Sequence, residues 1–180
     1  VPYDFPMRAS RDKAYMVADQ RFAAGRPDVL CFTTEPLAGD VTFAGGIRAV
    51  LQAAISTTDA DFVVKLIDVW PDNTEYPGYQ MLVRGDIMRG RYRRSFSAPE
   101  PFTPGEPTEV AFTMPDIAHT FRKGHRIMVQ VQSSWFPLAD RNPQQFVDIY
   151  RCAASDFIPC DVRIYHDRRR PSRLEVLRLR

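Results

Sequence analysis

GGIRAVLQAAIS, residues 45–56, is the stretch on which the fold class turns. Ile47, Ala49, Leu51, Ala53 and Ile55 fall on one face at period two, with Arg48 and Gln52 opposite, the alternation of a strand that buries one side. Working outward, DFVVKLIDVW (61–70) is nearly continuously apolar from Phe62 to Trp70, as for a strand covered on both faces. YQMLVRGDIMRGRY (79–92) alternates Met81, Val83 and Ile87 against Arg84 and Asp86, and HRIMVQVQSS (125–134) points Ile127, Val129 and Val131 inward. EVAFTM (109–114), CDVRIYH (160–166) and LEVLRLR (174–180) supply further strands. Met81, Met88, Met114 and Met128 sit at strand spacing and are expected in the core. Turn-makers fall between the runs: Asp40, Gly45-Gly46, Pro71-Asp72-Asn73, Pro99 to Pro107, Lys123-Gly124 and Pro137 to Pro143. Fifteen prolines and nine glycines, mostly between strands, punctuate an antiparallel sandwich and not a helical bundle. The expectation is an all-β jelly roll of seven or eight strands over residues 29–180. Residues 1–28, polar and irregular, read as a linker or wrapping segment that packs on a neighbour, with a turn or two of helix between Tyr15 and Phe22.

A chain of 180 residues buries roughly 70% of the surface its unfolded form exposes, so it needs no staples. Hydrophobic residues at 44% and charged ones at 26% exclude wholesale disorder. No apolar run approaches the ~18 residues of a membrane span, and VPYDFPMR at the start has no signal-peptide core and no initiating methionine. The chain therefore reads as an internal piece of something longer. Net charge is +2, but residues 161–180 hold seven arginines against three acids, leaving −2 for the remainder. Arg168-Arg169-Arg170 beside Pro171 reads as a solvated turn, and no basic stripe is interleaved with stacking aromatics, so nucleic acid is not an expected partner. Cys31, Cys152 and Cys160 match no zinc spacing; Cys152 and Cys160 are either bridged in an oxidising compartment or free thiols like Cys31.

The chemistry needed for autonomous hydrolysis is missing. A hydrolase requires a nucleophile with a base in hydrogen-bond reach, and the Gly-x-Ser-x-Gly elbow does not occur. His125 and Ser133, eight residues apart on one extended run, are about 26 Å apart at ~3.3 Å per residue. His119 in PDIAHTF, a strand-to-turn stretch, reads as a structural imidazole on a backbone partner. Asp59 and Asp61 could contribute to a calcium site, but two carboxylates are too few and a turn before a strand explains them equally. Gly45-Gly46 is followed by neither a P-loop lysine nor a helix start. No catalytic, metal or cofactor constellation is complete.

Four stretches in consistent order, DQRFAAGRPDVLCFTTEPL (19–37), DADFVVKLIDVWPD (59–72), GYQMLVRGDIMRGRYRRSFSAPEPF (78–102) and HTFRKGHRIMVQVQSSWFPLADRNPQ (119–144), resemble the C-terminal domain of the X-prolyl dipeptidyl-peptidase and cocaine esterase family. Within it the likeness is nearest to the α-amino-acid ester hydrolases and the glutaryl-7-aminocephalosporanic acid acylases, from about Val1 to about Leu177. The resemblance implies a serine hydrolase with an α/β-hydrolase domain, a helical cap and a C-terminal jelly roll of galactose-binding-like topology. It also implies that the catalytic serine, aspartate and histidine lie upstream, so no triad position carries onto this sequence. Family members occur both in the cytosol and beyond the inner membrane, which leaves the compartment open. The three cysteines and the terminal LRLR depart from the family pattern.

Two loops hold the residues suited to partner contacts. SSWFPLADRNP sets Trp135 and Phe136 beside Pro137, with Arg141 and Asn142 as directional donors. WPDNTEYPGY brackets a turn with Trp70, Tyr76 and Tyr79. Either loop edges the acyl pocket or docks on the hydrolase domain, or its aromatics cap this domain's own sandwich. If Trp135 faces a partner, Trp135→Ala costs the isolated domain on the order of 1 kcal/mol or less. Three readings follow: a non-catalytic domain packing on a hydrolase domain, a free-standing carbohydrate-binding module using Trp135 and Tyr79 as its platform, and an oligomerisation module in which a second copy is the partner.

Overall fold

The computed structural model describes residues 17–179. In chain order these form a single turn of helix, α1 (Arg21–Ala24), and the strands β1 (Val29–Thr33), β2 (Val41–Ile55), β3 (Asp61–Val69), β4 (Gln80–Arg89), β5 (Thr108–Phe121), β6 (Arg126–Gln132), β7 (Val162–Asp167), β8 (Arg170–Pro171) and β9 (Arg173–Arg178). They make two antiparallel sheets facing each other as a β-sandwich, the all-β architecture expected from the alternation. One sheet has the order β1-β6-β3-β4; in the other β5-β2-β7-β8 run in sequence and β9 joins the first half of β2.

Alternation decides which residues meet between the sheets. Ile47, Ala49, Leu51, Ala53 and Ile55 of β2 form one wall of the core, and Phe62, Val64 and Leu66 of β3 the other, with Val110, Phe112 and Met114 of β5 beside them. Burying each large side chain contributes about 1.5–3 kcal/mol. Met88, Met114 and Met128 are buried and Met81 is partly so. On β3 every residue from Asp61 to Asp68 is buried, as its unbroken apolar run requires of a strand covered on both faces. The outer cover comes from residues 17–25, which belong to the segment expected to wrap a neighbour. These lie on this chain's own sheet: the Gln20 amide donates to the Gln80 carbonyl (3.0 Å) and the Tyr79 hydroxyl to the Val17 carbonyl (2.7 Å). The helical turn expected between Tyr15 and Phe22 is seen at Arg21–Ala24, while Tyr15 and Met16 fall outside the described residues.

Two expectations are corrected. Gly45-Gly46 does not end a strand. With φ +94° at Gly45 the pairing slips from Gly45 opposite Ile117 to Ile47 opposite Met114, so the pair makes a bulge inside β2. The strand begun by EVAFTM does not stop before PDIAHTF either. It continues through Pro115 to Phe121, because β5 is an edge strand, where proline breaks no shared ladder. His119 is thereby a strand residue opposite Phe43, and its Nε2 meets the buried Asp68 carboxylate at 2.9 Å in place of a backbone group. His125 Nδ1 meets the other oxygen at 2.7 Å, which ties both sheets together at that end.

Candidate functional site

The β6–β7 connection, residues 133–161, is the longest irregular segment among those described, and its first part is an arch with two buried feet. Trp135 forms one foot. It is only 5% exposed and packs on β4, where a Cβ on Gly85 would sit 2.4 Å from the six-membered ring of the indole, so glycine is required for the ring to seat. Asn142, 4% exposed, forms the other foot: its Nδ2 donates to Asp61 (2.8 Å) and Asp59 (3.0 Å) at the start of β3. Between the feet the chain turns once, the Ala139 amide donating to the Trp135 carbonyl, and Phe136, Leu138 and Arg141 are left exposed. The Arg141 guanidinium carbon lies 5.7 and 5.4 Å from the centroids of the Phe136 and Phe157 rings.

Each candidate from the sequence now has a position. Trp135 is packed within the chain, and Asn142 is a buried bridge; neither projects as an exposed contact. Phe136 and Arg141 do. Trp70 and Tyr79 are half-buried in an aromatic cluster with Tyr76 and His125, with ring centroids 5.6–6.1 Å apart. They lie at the far end of β3 from Asn142, about 27 Å away at ~3.4 Å per residue, so the two loops do not build one site. Trp135 and Tyr79, the pair a sugar platform would need, spend their rings on Gly85 and Lys65 in one case and on Trp70 and Tyr76 in the other. All three cysteines are free thiols; Cys160 accepts from Thr57 and Cys152 donates to the Ile149 carbonyl.

Beneath the Asn142 foot lies an ionic cluster whose assembly the sequence did not reveal. The Arg91 guanidinium meets the wholly buried Asp59 at 2.7–2.8 Å, and Arg89 reaches Asp61 at 3.4 Å. The cationic positions around the acidic pair are filled by arginine, and among the described residues no three His, Cys, Asp or Glu side chains converge as metal ligands. Burial pushes the Asp61 carboxyl up to about 6, with the charge of Asp59 adding to it against the opposing pull of Asn142 and Arg89. Since the unfolded value is near 3.8, the folded state holds this proton more tightly. Its stabilising contribution is full below about pH 4 and is lost as pH rises through about 6. Asp61→Asn is expected to remove that step from a plot of urea midpoint against pH; a step that survives the substitution would assign it elsewhere.

A second unforeseen feature is Lys65, 1% exposed at the centre of β3's outer face. Its Nζ donates to Gln20 Oε1 (2.9 Å) and lies over the Phe22 and Trp135 rings, 5.6 and 5.3 Å from their centroids, and among the described residues no carboxylate pairs with it. Burial, helped by the charge of Arg26, lowers its pKa from 10.5 to about 8. A depressed lysine favours the fold above its unfolded value and costs stability as pH falls through about 8. Lys65→Met should therefore flatten the rise in melting temperature of the unmodified chain between about pH 8 and 10.5. A rise of equal size in the variant would contradict this account of the burial. The signal in the sequence was a lysine within a nearly continuously apolar run, which demands a cover on both faces.

The arch, its two feet and the cluster beneath Asn142 belong to a segment that also carries family likeness. Residues 8–175 match the family model described as the X-Pro dipeptidyl-peptidase C-terminal non-catalytic domain. The chain belongs to this family. Among curated proteins it is similar to the cocaine esterase of Rhodococcus sp. (strain MB1 Bresler), 44% identical over 125 residues, which is 69% of this chain and 21% of that protein. Among solved structures it is similar to an aminopeptidase from a marine sediment archaeon, Thaumarchaeota archaeon (TM-score 0.90, 44% identity, 92% of this chain and 28% of that one). An α-amino acid ester hydrolase is comparably similar (TM-score 0.87, 47% identity, 90% of this chain and 27% of that one). The X-Pro dipeptidyl-peptidase C-terminal domain thus spans between a fifth and three tenths of the length of these relatives. A hydrolase from Staphylococcus aureus at 13% identity and TM-score 0.59 shares the fold.

Proposed function

We propose that this chain is the non-catalytic C-terminal domain of a serine hydrolase acting on ester or amide bonds, and that it packs on the catalytic domain of the same polypeptide. The observation that carries the reading is the family match over residues 8–175 in a chain covering under a third of each similar hydrolase. In such an enzyme a serine attacks the acyl carbonyl, a histidine takes and returns the proton, and water releases the acyl group, all on the other domain. The part of the present domain is to hold that assembly and to edge its acyl pocket.

The arch is the surface best suited to the contact. It offers the apolar side chains Phe136 and Leu138 with the Arg141 donors beside them, the mixture of an interdomain surface, and its feet are fixed before any partner arrives. In the intact protein Phe136→Ala should weaken docking or acyl-group selection by about 2 kcal/mol, the size of an aromatic hot spot, while leaving the melting of this domain within about 0.5 kcal/mol. Limited proteolysis between the domains, together with kcat/KM for two acyl groups of different size, reads both effects. Unchanged values on both would remove the arch from the interface.

A further inference from the structure

Cys31, Gln130, Lys65 and Gly85 form one row across β1, β6, β3 and β4, each opposite the next in register. Two covers share this row. Trp135 packs on Gly85 and lies over the Lys65 ammonium. Residues 17–25 cover the rest: the Cys31 thiol lies 3.9 Å from the Ala24 carbonyl, Gln20 accepts the Lys65 hydrogen bond, and the Phe22 ring centroid is 5.6 Å from Nζ. This second cover is weakly held. Its buried side chains are the small Ala23 and the polar Gln20, while Val17 and Phe22 stay 68% and 46% exposed. Its hydrogen bonds to β4 and the turn before it come from residues 17–20, through the Tyr79 hydroxyl and the Gln80 backbone. A segment that buries so little apolar surface opens at low cost. What lies beneath it is a charge. The carboxylates on this side are engaged elsewhere, Asp19 with Arg21 and the Gln80 amide, Asp28 with Arg26, and Arg26 adds a like charge. A buried ammonium on a neutral amide is costly, and water restores its hydration as soon as the cover lifts.

We propose that residues 17–25 are a strap that lifts as a unit while the sandwich stays folded, and that hydration of the Lys65 charge drives the lifting. Neutralising that charge therefore latches the strap. The pKa of Lys65, drawn down from 10.5 to about 8 by burial, has the sign this requires, since the covered state disfavours the charged form. At tenfold per pKa unit, the gap sets a ceiling of roughly 300-fold on how far neutralisation suppresses the open state.

Thiols and phenols also lose protons in alkali, and Cys31 and Tyr79 both touch the strap, so the test is made at one neutral pH. In the intact polypeptide at pH 7, hydrogen exchange of the Gln20, Ala23 and Ala24 amides is compared with that of the β3 amides, each corrected for its intrinsic rate. The comparison is made in the unaltered protein and in Lys65→Met and Lys65→Leu. In the unaltered protein the strap amides should exchange at least roughly tenfold faster than those of β3. Both neutral variants should slow the strap at least roughly tenfold. Strap and β3 amides that exchange at one rate in the unaltered protein would show the strap melting only with the sandwich, and would overturn the proposal whatever the variants do. A strap that opens separately but slows by less than tenfold in both variants would overturn the Lys65 charge as what drives it.

Discussion

Trp135→Ala is expected to destabilise the chain by about 3–5 kcal/mol, the usual cost of emptying a large aromatic site. The ring is 5% exposed, rests on Gly85, and covers the Lys65 ammonium at 5.3 Å. Its loss leaves a slot over β4 and exposes one side of a buried cation whose hydrogen-bond partner among the described residues is the neutral Gln20 amide. For a domain of total stability about 5–15 kcal/mol this is a large fraction. The reading from sequence, in which a partner-facing Trp135 costs about 1 kcal/mol or less, belongs to an exposed ring; the exposed neighbour is Phe136. Gly85→Ala should show part of the same loss, since the new Cβ meets the indole at 2.4 Å. The double variant should cost less than the sum of the two, because the alanine at position 85 then has no ring to collide with. Urea midpoints at unchanged slope measure all three; strict additivity would separate the two sites.

Arg91→Met should be of similar size, about 3–5 kcal/mol, for a different reason. Asp59 is completely buried, and Arg91 is the cation hydrogen-bonded to it; the neutral Asn142 amide, which also donates to Asp61, adds one N–H at 3.0 Å. Removing the guanidinium leaves a buried carboxylate uncompensated, which costs more than the pair contributes when intact. Combining Arg91→Met with Asp59→Leu should recover much of the loss, since well-packed apolar replacements for a buried pair are often neutral. Calorimetry of the single and double variants checks the sign. A double variant as unstable as the sum of its parts would mean that the charges serve as more than a matched pair.

What was legible in the sequence was whatever depends on local periodicity. Period-two alternation in β2 and the unbroken apolar run of β3 place a wall on each side of one core, and both lie where the pattern puts them. Gly45-Gly46 was misread because the same dipeptide serves a turn or a bulge, and only the pairing partner on β5 distinguishes them. PDIAHTF was cut short because proline argues against strand unless the strand is known to be an edge. The site was less legible for a simpler reason. Gly85 lies fifty residues before Trp135, and Asp59 and Asp61 about eighty before Asn142. Nothing in SSWFPLADRNP states that its tryptophan finds a slot over a glycine or that its asparagine bridges two carboxylates. Residue type marked all four as suited to contacts, and tertiary placement divided them into two feet and two exposed side chains.

The most direct test of the account is a fluorophosphonate probe applied to this chain and to the intact polypeptide, with the labelled serine located by mass spectrometry. The account predicts a labelled serine outside residues 1–180 in the intact protein and, in this chain alone, no labelling above a denatured control. Labelling of any serine within residues 1–180 at a rate above that control would contradict it.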